Sequence, residues 1–402
     1  MQTRTFEDPS HLATLEQEWT ALWSAARGSP AKHPSWQRAW WNAMGGARAT
    51  EIGGARELSG IEVRLDDGAL VGLALFVRRP VLWDPGPRVR LDLIGSGEAI
   101  SDEVCSDYAG ILASPGHEGA VAGAIAKTLL EWRSRWDDIV LPSVSEHDLA
   151  SRALAEALIE GGCAVSMERT GVCPYVALPS SFDEYLSLLD SDRRYYVRRS
   201  LRDFESWAGE PPRLVRADRD EDLREGFRIL EQLHGERWGD RGLFRSDRFR
   251  AFHHELSRQW HRGDGVHIDL SWLVARERPV AVLYSFVSDG ILSFYQAGRA
   301  VDLPNKIRPG LVAHLAAIRR AIEEGLREYD FLEGEAQYKQ KLMTAQRSLL
   351  TIRAVRGDVR ATALDAAAVG ARAVLRAVLR LSSGAAGPVS RPREDVVPSS
   401  AR

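Results

Sequence analysis

Two stretches of this chain repeat one order of elements, and a duplication constrains a fold more than any single motif does. In the first, IEVRL (61 to 65) turns at Asp67 and Gly68 and returns as ALVGLALFV (69 to 77), a hairpin by composition and turn chemistry. Alternation at Val89, Leu91 and Leu93 adds a strand. A helix from about His117 to Arg135 then leads to DDIVL (137 to 141), a short buried strand. In the second, HIDLSWLVA (267 to 275) and VAVLYSFV (280 to 287) precede an Asp289, Gly290 turn and ILSFYQA (291 to 297). SPG (114 to 116) opens one helix and RPG (308 to 310) the other, and the spans Pro115 to Asp138 and Pro309 to Asp330 differ by two positions. Proline-glycine before a helix is also a common αβ arrangement, so the matched spacing carries the inference of duplication.

Around the repeats, Leu12, Leu15, Trp19, Leu22 and Trp23 recur at helical spacing, and Trp36, Trp40 and Trp41 follow Pro34. These tryptophans are expected to pack on the sheet. Leu178 to Ser181 reads as a junction, with one or two helices from Asp183 to Trp207. Residues 361 to 381 read as a helix with Arg372, Arg376 and Arg380 on one stripe, suited either to an anionic membrane surface or to docking on its own domain. The remainder, 383 to 402, can bury almost nothing and is expected to be disordered. The expected division is 1–178, 179–360 carrying the site, and 361–402.

A hydrophobic content of 44% over 402 residues supports large cores, and a net charge of -3 argues against a nucleic acid as main partner. Three cysteines, Cys105, Cys163 and Cys173, form neither a disulfide framework nor a CxxC knuckle, which fits a reducing, cytoplasmic setting. His253, His254, His261 and His267 lack metal-ligand spacing, so no metal is expected. The beginning of the sequence has no apolar run after a basic start, and about 18 uninterrupted apolar residues occur nowhere, so neither a secretory signal nor a membrane span is expected.

Chemistry concentrates between Tyr295 and Lys339. Pro309 suits the first turn of a helix, whose free N–H groups and positive dipole end can bind phosphate. Gly310 leaves room for close approach while Lys306 and Arg308 add charge; the competing reading is a proline-glycine that only starts the helix. Leu311, Leu315, Ile318 and Ile322 form its apolar face, and Gly325 caps it. Beyond the strand EYDFL lie Glu333, Glu335, Tyr338 and Lys339, at the edge where α/β sheets place ligands. A carboxylate there can deprotonate a nucleophile and a tyrosine can return a proton to a leaving thiolate; a solvated loop is the alternative. No nucleophile elbow or Cys/His pairing suggests a covalent route. Arg194, Arg198 and Arg202 share a helical stripe, near Arg193 and Arg199, that either steers CoA, a phosphorylated carrier or tRNA, or is a solvated face flanked by acids. Trp238 in ERWG either lines an acceptor site or is buried.

From Leu15 to Val355 the chain resembles the GNAT-related acyltransferases labelled as cellulose-biosynthesis or CelD-type acetyltransferases. It is more distantly similar to the Fem-type aminoacyltransferases that build peptidoglycan cross-bridges. The resemblance rests on HPSWQRAWWNAMG (33 to 45), SDYAGIL (106 to 112), WDDIVL (136 to 141), RRYYVRRSLRDFE (193 to 205), ERWG (236 to 239), YQAGRAVDLPNKIRPG (295 to 310) and YDFLEGEAQYKQKL (329 to 342). It implies an α/β fold made by tandem duplication of a GNAT-like unit, a mixed, largely antiparallel sheet flanked by helices. It implies acyl-CoA as donor, bound by Lys306, Arg308, Pro309, Gly310 and Leu311, with Tyr338 as proton donor, Glu335 as base and Lys339 holding an anionic group. Arg194, Arg198, Trp238, Tyr295 and Asp330 are the expected substrate contacts. The acceptor is an amine or hydroxyl of a small molecule, glycan or cell-envelope component, in polysaccharide biosynthesis. Two alternatives are aminoacyl transfer from tRNA and a non-catalytic scaffold. Ser106, Asp107 and Tyr108 are expected at the junction of the halves, in a structural role. One departure is the loop before the helix: the usual Q/R-x-x-G-x-G/A pattern is reduced here to Gly310.

Overall fold

The computed structural model describes residues 1–45, 56–81, 88–239, 242–260 and 265–357. The first repeat comprises β1 (Gln2–Phe6), α1 (His11–Thr14), α2 (Glu16–Ala25), α3 (Pro34–Trp40), β2 (Glu57–Arg64), β3 (Leu70–Val81), β4 (Arg88–Leu93), β5 (Leu112–Ala113), α4 (Glu118–Glu131), β6 (Asp138–Ser145), α5 (Leu149–Glu160) and β7 (Ala164–Ala177). After α6 (Phe182–Leu188) and α7 (Ser191–Ala208), the second repeat runs β8 (Arg213–Arg216), α8 (Asp220–Trp238), α9 (Asp247–Trp260), β9 (Val266–Ala275), β10 (Arg278–Ser288), β11 (Ile291–Arg299), α10 (Pro309–Glu323), β12 (Glu328–Asp330), α11 (Gln337–Leu342) and β13 (Ala345–Val355). The C-terminal stretch from 361, with Arg372, Arg376 and Arg380, lies outside the described residues.

One sheet joins these strands in the order β1-β2-β3-β4-β6-β13-β7-β12-β11-β10-β9-β8, with β5 beside β3. The order is palindromic when β1, β2, β3, β4 and β6 are matched to β8, β9, β10, β11 and β12, and β7 to β13. The duplication expected from the sequence is therefore present in the topology. At the centre the repeats exchange their last strands: β13 pairs antiparallel with β6, β7 pairs antiparallel with β12, and β7 and β13 pair with each other. Asp138 of β6, fully buried, accepts from Arg90 of β4 at 2.7 Å and from Arg353 of β13 at 3.0 Å. Two guanidiniums on one buried carboxylate pin the exchanged strand to β6, because removing Asp138 would leave both buried cations without that partner.

Helices cover both faces, so the strands read as near-continuous apolar runs. Along β3, Leu73, Leu75 and Val77 enter one core while Ala74 and Phe76 enter another against α4 and α5, as the period of two along a strand dictates. Between the repeats α3 packs on α9, with Trp36 edge-on to Phe252 at 4.9 Å and stacked near Trp260 at 5.9 Å. The Trp19, Trp23, Trp36 and Trp40 rings are all buried, as their spacing predicts. The two helix starts differ from expectation in one respect. Pro309 is the first residue of α10, whereas α4 begins only at Glu118 because Gly116, at φ 80°, forms a turn in the left-handed region. Among the described residues no helix is long and apolar enough to cross a membrane.

Candidate functional site

In the second repeat the parallel pair β11 and β12 is short. Pairing covers only Ile291 to Ser293 against Glu328 to Asp330, and β11 then continues to Arg299 paired with β10 alone. Residues 294–299 thus part from β12, and the loop after them delivers the chain to the N-terminus of α10. Gly298 makes this approach possible: a Cβ there would lie 2.7 Å from Leu233 and 2.8 Å from the His234 nitrogen, so α8 packs directly on the β11 backbone. That contact brings Arg237 and Trp238, at the end of α8, towards the site.

At the mouth of α10, Pro309 is buried, Gly310 is partly exposed, and Lys306 is exposed. A Cβ on Gly310 would meet only the Arg299 side chain, 3.7 Å away, so its backbone is approachable. The Leu311 side chain is core, 5% exposed, which leaves only its backbone N–H for a ligand. Arg308 lies over the Tyr196 ring at 4.9 Å and reaches Ser200 of α7. Arg237 stacks on Trp238 at 4.4 Å; burial, and then the nearby Arg299, pull its pKa down to about 10, with Tyr338 acting the other way. Arg299 is likewise lowered by burial. Arg237, Arg299 and the Tyr338 phenol therefore share one electrostatic neighbourhood.

Tyr338, on α11, stacks on His314 of α10 with centroids 4.9 Å apart and 19° between planes. Burial raises its phenol, with Arg237 opposing, so the hydroxyl keeps its proton through neutral pH. Burial lowers His314 to about 3, with Lys339 adding to the effect. That ring is neutral, lies within hydrogen-bond reach of Tyr329 at 2.7 Å, and meets Phe294 edge-on at 4.5 Å.

The loop from β12 to α11 is held at nearly every backbone group. Phe331 N–H donates to Pro174 at 3.0 Å, Leu332 N–H to the Asp330 carboxylate at 2.7 Å, Glu333 N–H to Asp107 at 2.8 Å and Gly334 N–H to Val172 at 3.1 Å. Lys339, 7% exposed, donates to the carbonyls of Phe331, Leu332 and Glu333 at 2.7, 3.3 and 2.8 Å. Its three N–H bonds are thereby directed into the loop. Asp330, 1% exposed, also accepts from the Tyr108 hydroxyl at 2.7 Å. Leu332 at φ 53° and Tyr108 at φ 59° occupy the left-handed region, a strain that such a dense set of bonds can hold. Cys173 sits beside this cluster, its thiol raised by burial and then by Asp107 and Asp330, so it is no thiolate nucleophile at neutral pH.

The structure thus brings Tyr338, Lys339, Asp330, Pro309 and Gly310 to one end of the parted strands and separates others from it. Glu335 is exposed at the loop's rim. Tyr295 points to the opposite face, where its hydroxyl donates to Val104 of the first repeat at 2.7 Å and lies 3.2 Å from His253. Because that proton is used, His253 Nε2–H donates to Tyr295 and its Nδ1 accepts from Tyr284, also at 3.2 Å. Arg194 donates back to Leu189 at the start of α7, and Arg198 is exposed. Sequence reading passed over His314, Arg237, Arg299 and Arg347. His314 carried a usable signal as a lone polar residue on the otherwise apolar face of α10. Arg347, stacked on Tyr175 at 4.1 Å and near Tyr108 at 5.6 Å, sits on the exchanged strand β13 and carried none.

Residues 191–340 match the family model described as Acetyltransferase (GNAT) domain. That span runs from α7 into α11, so the similarity to this family lies in the second repeat. The structure is similar to that of FemX, with a TM-score of 0.56 at 10% identity, covering 89% of this chain and 98% of that one. It is also similar to the structure of L-PGS from Bacillus licheniformis, with a TM-score of 0.51 at 11% identity, covering 91% of this chain and 96% of that one. At such identities the likeness is one of fold, and it extends over both repeats. No curated protein matches the chain.

Proposed function

We propose that this protein transfers an acyl group from acyl-CoA to an amine or hydroxyl acceptor, a small molecule, glycan or cell-envelope component. The observation that carries the reading is a conjunction at one place: a strand edge freed from its neighbour, a helix N-terminus, and the partly buried phenol of Tyr338. The edge of residues 294–299 offers backbone groups to an extended chain of amides such as the donor's arm. The N–H groups at the start of α10, with Arg299, Arg308 and Lys306, suit a pyrophosphate. Acyl-CoA would supply an activated thioester. Tyr338, kept protonated by burial, gives its proton at the departing sulfur, and Glu335 at the rim takes the acceptor's proton. Acetyltransferases of the CelD type, and a place in polysaccharide biosynthesis, fit this reading through the sequence resemblance.

Gly310→Asp tests the donor site. The open surroundings of Gly310 tolerate a side chain, while a carboxylate at a helix N-terminus repels a phosphate. Calorimetry is expected to show CoA binding weakened at least about tenfold in the variant, from loss of roughly 1.4 kcal/mol or more. Absence of CoA and acetyl-CoA binding to the parent protein would overturn the reading.

One observation favours a second donor, aminoacyl-tRNA. Arg198 and Arg202, one turn apart on α7, are exposed and make no ion pair or hydrogen bond among the described residues, and α7 meets the mouth of α10 through Tyr196. If tRNA is the donor, changing both arginines to Ala should make the slope of log affinity against log salt shallower by about 1.8, in filter-binding or fluorescence titrations. An unchanged slope speaks for CoA.

A further inference from the structure

We propose that Asp107 and Tyr108 of the first repeat are positioning residues for acyl transfer in the second: they fix the loop 331–334 and, through it, the place of Tyr338. The inference rests on the acyl-transfer reading above.

Within its own repeat the loop's carbonyls are held by Lys339, but most of its N–H groups are held by the first repeat. Of its four backbone N–H groups, those of Phe331 and Gly334 end on β7 and that of Glu333 on Asp107, all in the first repeat. The fourth, of Leu332, ends on Asp330, whose other oxygen accepts from the Tyr108 hydroxyl. Asp330 is buried and its carboxyl is raised first of all by that burial, so the Tyr108 hydroxyl supplies one of the few polar partners that hold it in one orientation. Leu332, left-handed at φ 53°, is the residue with most to gain from relaxing once these bonds are lost. Any such relaxation moves the first turn of α11, where Tyr338 lies four residues after Gly334.

Tyr108 is placed with equal care. It is left-handed at φ 59°, and Asp107 N–H closes back on Cys105, itself at φ 45°. The segment is anchored on the other side by Trp36, whose indole donates to Ser106 at 2.9 Å, and by Tyr295, whose hydroxyl donates to Val104 at 2.7 Å. A short piece of the first repeat is thus clamped from both repeats so that two side chains meet the loop of the second. Neither side chain is assigned proton transfer: the Asp107 carboxylate oxygen that meets Glu333 accepts a backbone N–H, and Tyr108 donates to a carboxylate that stays in the protein.

The test compares Asp107→Ala, Asp107→Asn and Tyr108→Phe in the full chain, after thermal melts confirm folding. An Asn side chain can still accept the Glu333 N–H; Ala cannot. Asp107→Ala and Tyr108→Phe should lower kcat at least about tenfold with KM for acyl-CoA within about twofold, whereas Asp107→Asn should stay within about threefold of the parent. Hydrogen exchange read by mass spectrometry over residues 331–340 should accelerate at least about tenfold in Asp107→Ala and stay near parental in Asp107→Asn. Equal loss of kcat in Asn and Ala, with exchange unchanged, would show that Asp107 acts through its charge and overturn the positioning role. Unchanged exchange in Asp107→Ala overturns it in any case. If the parent protein transfers no acyl group, the acyl-transfer reading fails and the proposed role in transfer falls with it, while the exchange comparison still decides whether Asp107 orders the loop.

Discussion

Replacing Tyr338 by Phe is expected to lower kcat about 10²-fold or more while leaving KM for acyl-CoA within about twofold, since a lost proton donor weakens the transition state and not the ground state. Phenylalanine keeps the ring that stacks on His314, so packing is retained and only the hydroxyl is lost. Two described neighbours of the ring are poor substitutes. Neutral His314 is lowered to about 3, and Lys339 is bonded to three carbonyls. Because burial raises the Tyr338 phenol, kcat of the parent should also show no alkaline fall from its ionisation below its ordinary value of about 10. Steady-state kinetics with a thiol-release assay measures both. A Phe variant with parental kcat would remove Tyr338 from the chemistry and leave the departing thiolate to be protonated by solvent.

The second large effect concerns acid. His33, His234 and His314 are buried and neutral, lowered by burial to about 4, about 4 and about 3. In the unfolded chain each would bind a proton near pH 6.5. As pH falls from 6.5 towards 4, the unfolded state gains protons that the folded state refuses, so stability is lost with falling pH. Glu98 opposes this: burial raises it to about 7, so the folded state protonates first and gains stability over part of the same window. Set against Glu98 alone, the three histidines leave a net loss of about 3 kcal/mol between pH 6.5 and pH 5, a large share of an ordinary folding free energy, which Glu328 and Asp330, their carboxyls also raised by burial, reduce. His253, pushed well below its ordinary value by burial, acts in the same direction. Urea unfolding at the two pH values reads the difference directly. Stability that is flat or rises on acidification would mean that these rings titrate in the folded protein, and hence that they are wetter than the packing indicates.

Much of this molecule was legible in the sequence because the relevant signals are local. Period-two alternation marked β9 to β11 and the β2 to β3 hairpin, a proline marked the start of α10, and the order of those marks exposed the duplication. Tyr338 and Lys339 could be picked out because they lie directly after the strand YDFL, where chain order alone puts them at the sheet edge. SDYAGIL could be placed at the junction of the repeats by the same reading of order.

The roles within that neighbourhood followed from distance in space and not from order in the chain. Lys339 looks in sequence like a free cation near a ligand, and only the turn of the loop over it directs its three N–H bonds at Phe331, Leu332 and Glu333. Asp330 looks like a substrate contact and is instead sealed between Tyr108 and Leu332. Tyr295, adjacent in sequence to Phe294 at the site, faces away from it because successive side chains of a strand point to opposite faces. The exchange of β7 and β13 had no sequence mark at all, since either strand could satisfy its backbone hydrogen bonds beside either repeat. Which neighbour each strand takes is fixed by side chains that meet only after folding, such as Asp138 with Arg353. The sequence by itself therefore determined the elements, their order and their repetition, through local periodicity and turn chemistry. The tertiary structure alone decided that the two repeats complete each other, because that choice depends on contacts between residues more than 200 positions apart, as between Asp107 and Glu333.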